Sequence, residues 1–166
     1  MQRTAPNFPS DLECTKQSAH GHTDEHGDYY NVFSCLTKPS SEYGSIPLVA
    51  YLPFKIHSDN VQPDDDIVSS MIFGIAYFNQ NRRDYKTRIF HSIAITENFL
   101  IVPENSLVMP SKSIIEKTIN GEPIIETYEY DTRVKGAFAI IRKSTLNLKE
   151  RIMTDKERIA NYTNLV

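Results

Sequence analysis

Three of the chain's five histidines fall within seven positions, as His20, His22 and His26 of SAHGHTDEHGDYYN. A fourth, His91, stands near the head of the apolar run in FHSIAITENFLIVPE, and the fifth, His57, follows Lys55-Ile56. Neutral imidazole is a strong ligand for first-row metals, so histidines that converge in space can share an ion. The order His20-Gly21-His22-Thr23-Asp24-Glu25-His26 approaches the HxHxDH pattern of metallo-hydrolases, but a glutamate stands where the last histidine of that pattern belongs. The plainer reading is a Gly- and Asx-rich turn with solvated histidines. These residues by themselves leave both readings open. His57 is a strand-end residue for which no partner can be named from sequence.

No Ser-His-Asp or Cys-His arrangement is recognisable, so there is no candidate for nucleophilic catalysis. A net charge of -3 with scattered basic residues leaves no electrostatic footprint for nucleic acid. Cys14 and Cys35 are the only cysteines and form no CxxC pair. That argues against a disulfide framework and points to a reducing compartment. The longest apolar stretches fall short of the ~20 residues that a membrane helix needs. The opening MQRTAPNFPSDLECTK has no apolar central region, unlike a secretory signal. A cytoplasmic location is expected.

The elements that must position these histidines are short and β-like. Residues 1–26 are polar and rich in turn formers. Strands are expected over Tyr29–Ser34, Leu48–Ile56, Ile67–Tyr77, Thr87–Ile95, Phe99–Pro103, Ile124–Tyr130 and Ala137–Arg142, most of them bounded by Gly, Pro, Asn or Asp. Thr96-Glu97-Asn98 reads as a tight hairpin between two of them, with Thr96 and Asn98 serving the turn. Glu97 and Glu104 read as solvated hairpin glutamates. Residues 146–166 have unevenly spaced apolar positions, Leu148, Ile152, Ile159 and Leu165, which suit a short helix or a frayed tail. The expected class is all-β with a polar head.

Two segments together resemble the carotenoid cleavage oxygenase family, which includes the carotene dioxygenases and the retinoid isomerase of the retinal pigment epithelium. Ala19-His20 and Tyr30-Asn31 are similar to a family stretch of Ala-His-Pro, acidic and glycine residues, then Tyr-Asn. His91-Ser92, Thr96, Asn98 and Phe99 resemble a second stretch of His-Ser-Phe, Thr-x-Asn-Tyr and an apolar strand ending near Glu-Pro. Gly136 to Arg142 resembles a third. The likeness covers roughly residues 7–145. Gly21 replaces the usual proline, Phe99 the usual tyrosine, and the stretch before Ser18 is shortened.

The resemblance implies a seven-bladed β-propeller, of which residues 1–145 would form an incomplete section, with residues 146–166 as the tail. It implies one Fe(II) on the propeller axis, held by four histidines, with His20 matching the first ligand and His91 the second. No residue matches the third or fourth, nor the second-shell glutamate expected upstream of His20. The implied reaction is oxidative cleavage of a double bond in a carotenoid or retinoid polyene by dioxygen, with peripheral membrane contact. Iron(II) suits it because neutral imidazoles leave open positions for oxygen. Two histidines hold ferrous iron poorly, so this chain alone is expected to bind iron weakly and to lack activity. The alternatives are a non-catalytic β-sheet module that binds an apolar ligand or a partner, and an unrelated β domain with a surface zinc site built from His20, His22 and His26.

Overall fold

The computed structural model describes residues 9–38, 48–58, 70–78, 86–88, 91–133 and 136–153. These residues are mostly β. The strands are β1 (Leu12–Gln17), β2 (His22–Thr23), β3 (Tyr29–Thr37), β4 (Val49–Ile56), β5 (Met71–Phe73), β6 (Tyr77–Phe78) and β7 (Lys86–Arg88). They continue as β8 (Ala94–Ile95), β9 (Phe99–Glu104), β10 (Leu107–Pro110), β11 (Glu129–Tyr130), β12 (Ala137–Arg142) and β13 (Asn147–Met153). One helix, α1 (Ser111–Asn120), interrupts them.

Three sheets result. The first follows the order β1-β3-β4-β5, with β2 on β3 and β6 on β4. The second is β11-β10-β7 and the third β13-β12-β9-β8, all of their named pairings antiparallel. β4 shows how the core is built. Its residues Val49 to Phe54 are all buried, so both faces of this strand are covered, and its run is apolar throughout rather than alternating. Val49 and Tyr51 join Tyr30 and Val32 in packing against Leu100, Val102, Ala139 and Ile141 of the third sheet. Ala50 and Leu52 face the other way, onto Leu12, Cys35, Phe33 and Phe73. Pro53 is tolerated inside this strand because its carbonyl accepts from Gly74, in the gap between β5 and β6. The N–H that proline lacks would point to that same side, beyond the paired residues of β5 and β6. Gly74 is itself required: a Cβ there would lie 2.1 Å from the carbonyl oxygen of Leu146.

Several expectations need correcting. Thr87–Ile95 is not one strand: β7 pairs in the second sheet and β8 in the third, so this stretch crosses between sheets. Within Ile124–Tyr130, Ile124–Thr127 form a 3-10 turn capped by Pro123, and only Glu129 and Tyr130 are strand. Asn147–Met153 is the strand β13, neither a helix nor a frayed tail; residues 154–166 lie outside the described residues. Residues 67–69 of the third expected strand do too. The two cysteines are not free. Cys14 of β1 lies directly across the ladder from Cys35 of β3, and the two are joined as a disulfide, which removes the footing of the compartment argument. Among the described residues no helix is long and apolar enough to cross a membrane.

Candidate functional site

His20 and His91, 71 residues apart in the chain, meet. Their ring centroids are 4.6 Å apart with planes at 61°. The backbone brings them together. His20 N–H donates to the His91 carbonyl at 3.2 Å, and Ile93 N–H donates to the His20 carbonyl at 3.5 Å, a parallel bridge centred on His20 and Ser92. His91 thus sits where the chain passes from the second sheet to the third, and His20 where β1 gives way to β2. Both rings are exposed.

The spacing suits a shared metal. A metal about 2.1 Å from each coordinating nitrogen lies about 3.2 Å from each ring centroid, so two ligands at right angles have centroids about 4.5 Å apart. His91 Nδ1 is 3.3 Å from Ser92 Oγ. With the proton on Nδ1 and donated to that hydroxyl, the Nε2 lone pair is left for a metal. A pair at this distance and angle is also an ordinary edge-to-face ring contact. Among the described residues no group of three or more His, Cys, Asp or Glu side chains converges. The surface-zinc alternative gains no support: among the described residues His20, His22 and His26 do not converge as a group of three.

Around the pair, the front segment folds into an ordered turn. Asp24 Oδ1 accepts from the amides of His26 and Asp28, at 3.0 and 3.1 Å, as an Asx-led turn does. Its Oδ2 accepts from Lys143 Nζ at 2.7 Å, pinning this turn to the β12–β13 connection. His57, for which sequence offered no partner, pairs with Asp28 at 2.9 Å. Gly21 has a steric reason: a Cβ there would lie 2.2 Å from the Tyr29 hydroxyl, and the ring occupies that space. The proline of the family pattern could not enter without moving Tyr29. Thr96 serves its turn as expected, its hydroxyl accepting from Phe99 N–H at 3.1 Å.

Burial opposes ionisation of Asp24, but the Lys143 hydrogen bond and the two amides prevail and lower its carboxyl to about 2. Tyr30 is shifted the other way, held well above the usual phenol range by burial and then by the charge of Asp24. Because the folded value for Asp24 is depressed, its contribution to stability is complete above the ordinary value of 3.8 and is lost as pH falls toward 2. Lys143→Met is expected to move the Asp24 titration, followed by carboxyl NMR, up toward the ordinary range. An unmoved titration would show that the ion pair does not hold this turn. A cleft of about 420 Å³ opens beside the Asp24–Lys143 ion pair, between Asp24 and Glu25 on one side and Thr96 and Glu97 on the other. Its polar lining suits water more than a polyene.

Glu104 is not a solvated hairpin residue. It is fully buried, with Oε1 accepting from Arg151 at 2.9 Å and Oε2 3.9 Å from buried Arg88. β9 alternates inward at Leu100, Val102 and Glu104, so the strand's own period could have flagged it. Glu97 is exposed. Compared with known proteins, the chain matches no family model and no curated protein.

Proposed function

We propose that this protein is a carotenoid cleavage oxygenase-type chain, in which His20 and His91 supply two of the imidazoles around an Fe(II) ion. The observation that carries the reading is the apposition of those two rings, 4.6 Å apart, from segments far apart in sequence. These are the two segments whose motifs resemble the family. The third sheet adds support. β8, β9, β12 and β13 form a four-stranded antiparallel sheet with β8 at one edge, the strand number of a propeller blade, although the chain leaves it between β9 and β12 through β10, α1 and β11. His91 enters beside that edge, as an inner blade strand would present a ligand to a central axis.

When bound, ferrous iron supplies a site for dioxygen and the electrons to activate it, for cleavage of a conjugated double bond in an apolar polyene. The protein's own part is to hold two uncharged imidazoles in fixed apposition. The bridge does this through backbone hydrogen bonds, which leave the rings themselves at the surface. No side chain serves as nucleophile or general base. Contact with a lipid surface, where such polyenes reside, belongs to the same proposal.

Anaerobic Fe(II) titration against a chromophoric chelator tests it. The wild-type protein is expected to bind weakly, at one site. His20→Ala and His91→Ala are each expected to lower affinity by more than the ~10–100-fold that loss of an outer partner typically costs. The double variant is expected to be little worse than either single one. Affinity unchanged by His91→Ala would defeat the reading.

A further inference from the structure

We infer that Asn31 is the residue that positions His20 against His91. The inference rests on the proposed function only for its metal readout.

Asn31 lies near the start of β3 and is 0% exposed, and its amide is fully engaged. Oδ1 accepts from the Ser18 hydroxyl at 2.5 Å and from Val32 N–H at 2.7 Å. Nδ2 donates to the Ser18 carbonyl at 3.2 Å and to the Tyr29 hydroxyl at 2.9 Å. Val32 N–H can only donate and the Ser18 carbonyl can only accept, so these partners fix which end of the amide is oxygen. A carboxamide with both ends used in this way cannot be replaced by a carboxylate or an alkyl group without leaving a buried partner unmade.

The bonds to Ser18 and Tyr29 bear on the turn that carries His20. Ser18 is also buried, and its Oγ lies 3.2 Å from the His20 carbonyl. That carbonyl in turn accepts from Ile93 N–H in the bridge to the His91 segment. Tyr29, the other Asn31 partner, fills the space above Gly21, the residue after His20. One buried amide thus braces the chain on both sides of the first imidazole, through Ser18 before it and Tyr29 after it. β1 and β3 diverge at this point, since Ser18 N–H still reaches the Val32 carbonyl while His20 has turned away to bond residue 91.

Asn31 touches neither ring, so its effect must pass through His20. The test is two-dimensional NMR of the full chain as wild type, Asn31→Ala and Ser18→Ala, with Fe(II) affinity measured alongside. The wild type is expected to show cross-relaxation between the His20 and His91 ring protons. Asn31→Ala is expected to lose it while cross-strand contacts between β9 and β12 persist, and to bind Fe(II) at least about tenfold more weakly. Ser18→Ala, a milder change, keeps the experiment decisive if Asn31→Ala does not fold, and is expected to weaken the same cross-peak. In a His20→Ala background, Asn31→Ala is expected to have no further effect on affinity. A folded Asn31→Ala or Ser18→Ala protein whose ring contact and affinity are unchanged would overturn the inference. If the ring contact responds as predicted but the wild type does not bind iron, the positioning role stands and the metal reading falls.

Discussion

Glu104→Ala is expected to destabilise the protein by about 3–5 kcal/mol, a loss that chemical denaturation reads as a large drop in midpoint. The reason lies in what the substitution leaves behind. Glu104 is fully buried, and its carboxylate neutralises Arg151, whose side chain is 15% exposed, and Arg88, at 3%. Arg88 N–H donates to the Tyr51 hydroxyl at 3.0 Å, and the Arg151 guanidinium lies 5.7 Å from the Tyr77 ring. This one carboxylate therefore links β9 to β7 and β13 within a cluster that includes the buried Tyr51 and Tyr77. Truncation removes a carboxylate from beside two largely buried guanidiniums, and losing one member of a buried charge pair costs more than the intact pair contributes. Burial first, and then the Glu104 charge, raise the Tyr77 hydroxyl well above its ordinary value. Glu104→Ala with Arg151→Met should recover part of the loss, because the uncompensated charge is then smaller. A single variant within about 0.5 kcal/mol of wild type, the usual range for surface changes, would show that this cluster is not buried as described.

Reducing the Cys14–Cys35 disulfide is expected to lower stability by about 3 kcal/mol, from the chain entropy returned to the unfolded state by opening a loop of 21 residues' separation. The bond ties β1 to β3 beside a break in their ladder between Cys14 and Lys16. Denaturation midpoints measured with and without a thiol reductant check this. The Cys14→Ala/Cys35→Ala protein should match the reduced wild type and ignore the reductant. Equal midpoints for oxidised and reduced wild type would show that the bond does not constrain the chain.

β3, β4, β9 and β12 were legible because each is an apolar run bounded by turn residues, and Ala137–Arg142 is a strand over its whole expected length. Helix α1 was missed. Its three isoleucines read as β-branched chain, although Lys112–Glu116 at four-residue spacing and left-handed Gly121 after its end were available signals. The split of residues 86–95 between two sheets depends on long-range pairing that local pattern does not carry. The same holds for the Cys14–Cys35 register, since spacing along a chain does not say which residues oppose each other across a ladder. Residue identity alone did not suggest that His20 and His91 meet; that expectation came from the resemblance of their flanking motifs, and the contact itself is made through the bridge at Ser92. The burial of Asn31 was hidden because a strand asparagine carries no signal of what its amide meets.

The central claim is that the two apposed imidazoles take one ferrous ion between them. Anaerobic addition of paramagnetic Fe(II) to the protein, followed through all five histidine ring resonances, tests it most directly. The rings of residues 20 and 91 should broaden together at the lowest iron concentrations, while those of residues 22, 26 and 57 stay sharp. Broadening of residues 20, 22 and 26 with an untouched ring at residue 91 would contradict the claim and place any metal on the front turn instead.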